Sequence, residues 1–240
     1  MTGGAAGIGL YMAVALAEAG VNLVLAARKK DRCAAVAAEF AAKYNIQTEA
    51  VGCDVTKPED CQNLSDTAMK RLGRIDILIN NSGATWGDDV LKYPLEGWRK
   101  VIDTNLTGIF VLSQIVAREM KETSGGKILN VSSTAGVRVP RTQSTPAYTA
   151  SKAAVIHLTK DLAVNLAKYN IYVNTIAPGY FPSHMTAGTL DKVQAEVEAA
   201  NPFSRIGQAR DLKGPVLFFC SKASDYVTGQ CIVIDGGGSL

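Results

Sequence analysis

The sequence predicts an α/β fold: a single Rossmann-type doubly wound parallel sheet with helices on both faces. Three observations carry this. Helix-period and strand-like segments alternate along all 240 residues. The strand-like segments are short, nearly all-apolar runs, as expected of strands buried on both faces. A glycine-rich turn, Thr2-Gly3-Gly4-Ala5-Ala6-Gly7-Ile8-Gly9, stands directly before the first helical pattern. Strand and helix in strict alternation give parallel strands joined by crossover helices.

The elements follow in order. Residues 8–19 read as a helix that Gly20 ends. Residues 21–27 are an apolar run and read as a strand, and 31–43 return to helical spacing. Residues 47–51 form the next strand, and 58–72 a helix with Pro58 at its start. A strand over 75–80 precedes a long helix over 103–121. Then come a strand at 127–131, a helix at 149–168 and a strand at 171–176. An irregular stretch leads to a helix at 211–221 and a last strand at 231–234. No linker or repeat divides the chain, so residues 1–240 are read as a single nucleotide-binding domain with a substrate loop over about 180–200.

Composition narrows the function. A hydrophobic fraction of 47% allows a large core, and a net charge of +3 without a dense basic run gives no support for nucleic-acid binding. Five scattered cysteines and only two histidines make a metal site improbable and suit a reducing, cytoplasmic setting. No apolar run reaches the ~18 residues of a membrane helix, and no signal peptide is present.

Chemistry is carried by short motifs at strand ends. The glycine run lets backbone approach a pyrophosphate, and the helix N-terminus behind it offers free N–H groups, through Gly3, Ala6, Gly7, Ile8 and Gly9. The strand at 21–27 runs into Arg28 and Lys29, where a dinucleotide fold meets the adenosine ribose. A cation there can hold a 2′-phosphate, which points to NADPH rather than NAD; otherwise Arg28 merely snorkels at the strand end. Asp54, followed by Val55, can bond the adenine amino group or cap the helix at Pro58. Asn81, Ser82 and Gly83 make a small-residue turn at the cofactor ribose. Asn105 lies inside a helical run that disfavours it, which suggests a kink or a functional role. Ser132 and Ser133 end a strand, where a hydroxyl can hold a substrate oxygen, and Pro178-Gly179 lets the chain turn over a nicotinamide. Tyr148 and Lys152 stand one helical turn apart, so both can face one cleft. A neighbouring ammonium lowers a phenol's pKa and equips it to pass a proton.

Taken together, the glycine run, Cys53-Asp54-Val55, Asn80-Asn81-Ser82-Gly83, Asn105, Ser133, Tyr148-Thr149-Ala150-Ser151-Lys152, Pro178-Gly179 and Ile234-Asp235-Gly236-Gly237 resemble the short-chain dehydrogenase/reductase family over essentially the whole chain. The resemblance implies a catalytic tetrad of Asn105, Ser133, Tyr148 and Lys152, with Tyr148 as proton donor and Ser133 positioning the carbonyl oxygen. Lys152 would bind the nicotinamide ribose and lower the Tyr148 pKa, and Asn105 would hold a water linking Lys152 to solvent. It favours Ser133 over Ser132, and it places Ser183 and Met185 at the cofactor. It also implies a homotetramer.

Three departures stand out. The family has a strand ahead of the threonine that matches Thr2, so the first strand is expected to be missing here. Either the start lies downstream of the true one or this is a short, destabilised form. The interval from Ser133 to Tyr148 is longer than is common, with the extra residues in 138–146, which reshapes the pocket rather than the chemistry. Ser82 replaces the usual Ala. Thr85, Trp86, Gln143, Tyr180, Phe181 and Met185 would line an apolar, aromatic mouth suited to lipophilic ketones. His184 reads as a loop residue. The look is closest to the 3-oxoacyl-thioester reductases, including the rhamnolipid-associated branch, acting on an acyl-carrier-protein or CoA thioester. A sugar-acid or polyol dehydrogenase is the alternative, and a non-catalytic dinucleotide-binding or assembly protein a third.

Overall fold

The computed structural model describes residues 1–140, 144–183 and 185–240. Its elements are α1 (Gly7–Glu18), β1 (Leu23–Ala27), α2 (Lys30–Tyr44), β2 (Thr48–Gly52), α3 (Pro58–Leu72), β3 (Ile77–Asn80), α4 (Leu95–Ile102), α5 (Gly108–Lys121), β4 (Gly126–Val131), α6 (Pro146–Leu166), β5 (Ile171–Pro178), α7 (Ala187–Ala200), α8 (Ala209–Phe219) and β6 (Cys231–Ile234). All strand pairs are parallel, in two sections ordered β1-β2 and β3-β4-β5-β6.

The sections are joined by residues 1–3. Thr2 N–H donates to Ile79 O (3.0 Å), Gly3 N–H to Ala26 O (2.7 Å), and Ala26 N–H to Met1 O (2.9 Å). The Met1 amino group donates to Val24 O at 2.8 Å. The place between β1 and β3 is therefore held by a short stub where the sequence leads one to expect a strand's position left empty. Burial lowers the Met1 amino group to about 6.

Adjacent strand residues point to opposite faces, and each face has its own core. Leu25, Ile79, Leu129 and Ile176 pack with Met12 and Leu16 of α1, Phe40 of α2 and Val216 and Phe219 of α8. Val24, Leu78, Ile128 and Val173 pack with Leu64 of α3, Leu112 and Ile115 of α5 and Leu162 of α6. This is the doubly wound arrangement expected from the sequence. Strand order changes direction at residues 1–3, and the functional motifs gather at the C-terminal strand ends beside that point.

One element differs from expectation. The helix predicted over 103–121 begins earlier, as α4, and is interrupted by a π-helical turn at Asp103–Thr107 before α5. Buried Asn105 supplies the reason: its amide is bonded to the Ala84 backbone instead of facing solvent.

Candidate active site

The nucleotide end is built around α1. Its first turn lacks a side-chain cap and carries no acidic residue, so its N–H groups are open to an anion. Gly9 is required by contact: a Cβ there would stand 1.9 Å from Gly3 O. Gly3 and Gly7 have positive φ (63° and 50°). Asn81 ties the strand-end turns together, its side chain donating to Thr2 O and Gly3 O, each at 3.1 Å. The backbone N–H groups of Asn81 and Ser82 both donate to Thr2 Oγ1 at 3.0 Å. This cradle fits a dinucleotide pyrophosphate. Ser183 closes over it, since a Cβ on Gly7 would lie 2.8 Å from Ser183 Cβ.

At the adenosine end, Arg28 and Lys29 are exposed. Asp54 Oδ1 accepts from Thr56 N–H (3.0 Å) and Thr56 Oγ1 (2.8 Å). Burial works against the Asp54 charge, but the Thr56 bonds together with Arg28 and Lys57 hold its carboxyl below the ordinary range. Arg28 is thus electrostatically felt at Asp54. Val55 is buried behind it, its side chain 3.0 Å from where a Cβ on Gly108 would lie.

The reacting end assembles β4, α6 and the π turn. Ser132 is buried and donates to Lys152 O at 2.7 Å, while Ser133 meets the Tyr148 hydroxyl. Of the two competing serines, Ser133 is therefore the one beside the phenol. Lys152 Nζ donates to Val131 O at 2.8 Å and stands 5.7 Å from the centre of the Tyr148 ring. Asn105 Oδ1 accepts from Ala84 N–H (2.7 Å); its Nδ2 donates to Ala84 O (2.9 Å) and Ser151 Oγ (3.0 Å). Ser151 in turn donates to Tyr148 O at 2.8 Å. Asn105 Oδ1 and Lys152 Nζ converge on Gly83, 3.6 and 3.8 Å from the position its Cβ would take. The structure thus brings Asn105, Ser133, Tyr148 and Lys152 into one constellation.

Burial sets both pKa directions. It pushes the Tyr148 phenol up; the Ser133 hydrogen bond works the other way and Tyr180 adds to the rise. It pushes the Lys152 ammonium down to about 8. The lowering of Tyr148 by Lys152 expected from the sequence does not appear in the free protein, where burial raises the phenol. At neutral pH the phenol holds its proton and the lysine its charge. Among the described residues Nζ has one hydrogen-bond acceptor, so a buried ammonium with donors to spare stands beside Gly83.

Above this constellation lies a cavity of about 460 Å³, lined by Ser133 and Tyr148, by Pro178, Gly179 and Tyr180, and by Ile8, Ser183 and Met185. Trp86 is not part of it. It lies against α4, its ring 2.7 Å from where a Cβ on Gly97 would be, with Lys100 Nζ 5.3 Å from the ring centre. Phe181, 1% exposed, faces the core and packs on Gly207. Gln143 and His184 lie outside the described residues. Of the expected mouth, Thr85, Tyr180 and Met185 line the cavity, and Arg138, Val193, Val197 and Ile206 wall it as well. The spacing of Val193 and Val197, one helical turn apart, was the available signal for that wall. Among the described residues no group of His, Cys, Asp and Glu could hold a metal ion.

Comparison with known proteins agrees with this geometry. A family model described as Enoyl-(Acyl carrier protein) reductase matches residues 3–239. The chain is 34% identical to the 3-oxoacyl-[acyl-carrier-protein] reductase FabG of Aquifex aeolicus, over 99% of this chain and 95% of the relative. It is 36% identical to the 5-keto-D-gluconate 5-reductase of Escherichia coli strain K12, over 99% and 93%. Among solved structures it resembles a short-chain type dehydrogenase/reductase from Mycobacterium marinum (TM-score 0.95, 39% identity, covering 99% and 93%). It also resembles the RhlG/NADP active-site complex of Pseudomonas aeruginosa (0.93, 33%, covering 100% and 94%). A third neighbour is a 7α-hydroxysteroid dehydrogenase complexed with NADH and 7-oxo glycochenodeoxycholic acid (0.93, 34%, covering 99% and 92%).

Proposed function

Because the chain belongs to the short-chain dehydrogenase/reductase family of NAD(P)-dependent oxidoreductases, we propose that it reduces a ketone to a secondary alcohol with NADPH, most specifically a 3-oxoacyl thioester. The observation that carries the reading is the meeting of Tyr148 and Ser133 at the floor of an apolar cavity, with buried Lys152 behind them.

The nicotinamide, when bound, supplies hydride to the carbonyl carbon. The protein's own residues do the rest. The Ser133 hydroxyl holds the carbonyl oxygen beside Tyr148, and Tyr148 gives that oxygen its proton. A phenol kept protonated by burial is poised as an acid, which suits the reductive direction. Lys152 holds the ribose hydroxyls with its spare donors and presents a positive charge to the developing tyrosinate. Asn105 fixes the turn that carries Gly83 against both. The glycine cradle and the α1 N-terminus take the pyrophosphate, and Arg28 with Lys29 takes the 2′-phosphate.

The thioester reading is supported by the apolar walls, Ile8, Val193, Val197 and Ile206, and by the likeness to FabG. A second reading, reduction of a keto-sugar acid, is favoured by the comparable likeness to the 5-keto-D-gluconate reductase. Nicotinamide oxidation measured with acetoacetyl-CoA and with 5-ketogluconate, each with NADPH and NADH, decides between them. Turnover of acetoacetyl-CoA with NADPH is expected. Turnover of 5-ketogluconate alone overturns the thioester reading, and cofactor binding with no turnover of any ketone supports a non-catalytic role. A cytoplasmic homotetramer completes the proposal. It is supported by five free cysteines among the described residues and by Phe110 on α5 and Val164 on α6, which stand 43% and 78% exposed.

A further inference from the structure

The segment between Ser133 and Tyr148 presents a cation at the mouth of the cavity. Arg138 and Pro140 line the cavity. Arg138 is exposed, so its guanidinium stands at the mouth; the neighbouring Val137 and Val139 do not line the cavity and stand 53% and 72% exposed. The cavity that receives Arg138 is otherwise walled mainly by apolar groups, among them Val193, Val197 and Ile206.

Charge balance inside the protein does not account for Arg138. Its side chain makes no hydrogen bond, ion pair or ring contact among the described residues. The other guanidinium on the cavity wall, Arg205, is committed to Asp211, at 2.6 and 3.1 Å. Of the two acidic residues on the wall, Asp235 accepts from Gly237 N–H at 2.9 Å through Oδ1; its Oδ2 is buried without a hydrogen-bond partner among the described residues, and no ion pair joins it to Arg138. Glu196, on α7, lies beyond ion-pair distance of Arg138.

We propose that Arg138 determines specificity: the substrate is a ketone whose far end carries an anionic group, phosphate or carboxylate, that pairs with this guanidinium while Tyr148 and Ser133 hold the carbonyl. Arginine suits either anion, because its planar fork bonds two oxygens at once. The phosphate arm of an acyl carrier and the carboxylate of a keto acid both satisfy this chemistry. The inference rests on the ketone-reductase reading above and adds the anion to it.

The test compares wild type with Arg138→Gln and Arg138→Lys on three ketones: acetoacetyl-CoA, which bears phosphates; 5-ketogluconate, which bears a carboxylate; and the neutral N-acetylcysteamine thioester of acetoacetate. For whichever anionic ketone is turned over, Arg138→Gln is expected to raise KM about tenfold with kcat unchanged. Arg138→Lys should recover part of the loss, and the neutral thioester should show no change. Added salt should weaken the anionic substrate in wild type and not in Arg138→Gln. Which anionic ketone responds identifies the phosphate or the carboxylate as the natural group. An equal change for charged and neutral ketones, or none, overturns the role of Arg138 and leaves the reductase reading standing. Wild type that reduces none of the three overturns both.

Discussion

On the β4–α6 side of the cleft, polar groups are buried and each is bonded to a fixed partner. Ser132 meets Lys152 O, Lys152 meets Val131 O, Asn105 meets both backbone groups of Ala84, and Ser151 bridges Asn105 to Tyr148 O. On the other side, Val193, Val197 and Ile206 are half-buried and meet the cavity with hydrocarbon. Hydrogen bonds are directional and lose their value over fractions of an ångström, whereas apolar contact is not directional and scales with area. The first wall is therefore a device for placing a proton and a charge. The second sets only size and polarity. Changes on the first wall should alter rate for every substrate; changes on the second should alter the ranking of substrates.

The largest effect tests the first half of that contrast. Tyr148→Phe removes the proton donor and leaves the ring. Turnover of every ketone is expected to fall by at least ~10²–10⁴-fold, with NADPH binding, followed by fluorescence, little changed. A folded Tyr148→Phe protein that retains its rate would detach the chemistry from this wall.

Lys152 gives a pH signature. Its ammonium titrates at about 8 in the folded protein against an ordinary 10.5. Below about pH 8 it is charged in both states, and the fold carries the full cost of burying that charge. As pH rises from about 8 to about 10.5, the folded state gives up its proton first. Stability of the cofactor-free protein should therefore rise across that window, by ~3 kcal/mol. Activity should move oppositely, falling as the charge proposed to hold the ribose disappears. Lys152→Met abolishes the titration, so the difference in denaturation midpoint between the two proteins should shrink or reverse above about pH 8. A difference independent of pH would show that the ammonium is not buried as described.

The same contrast explains what could be read in the sequence. Strand β1 is legible because burial on both faces demands an uninterrupted apolar run. The site at the strand ends is legible because its chemistry uses residues with few other reasons to stand at those positions, such as Tyr148 and Lys152 one turn apart. Asn105 was visible as a misfit in a helix, but the π turn it belongs to was not. That turn depends on Ala84, which lies far away in sequence. The aromatic residues misled for a similar reason. Whether Trp86 or Phe181 lines a cavity or fills the core is decided by Gly97 and Gly207, whose missing side chains make room for the rings. Nothing local announces such partners. Arg138 was seen only as part of a longer loop, because its place at the cavity mouth depends on how that loop lies against α7 and β5 in space.

The smallest expected effect probes the second wall. Val197 stands one turn of α7 from Val193 and is half-buried against the cavity. Val197→Ala removes two methyl groups from a surface partly open to solvent, so the stability loss should stay below ~1 kcal/mol. The enlarged cavity should accommodate a longer acyl chain. The ratio of kcat/KM for a six-carbon over a four-carbon 3-oxoacyl thioester is expected to rise a few-fold, less than the ~1–3 kcal/mol that a methylene is worth in a closed apolar pocket, because this wall is partly open to solvent. The kcat for the short substrate should stay as in wild type, because among the described residues Tyr148, Ser133 and Lys152 draw none of their hydrogen bonds from α7. If Val197→Ala instead slows all substrates alike, the two walls are mechanically coupled: α7 then helps position the phenol, and selectivity and chemistry are no longer separable on this scaffold.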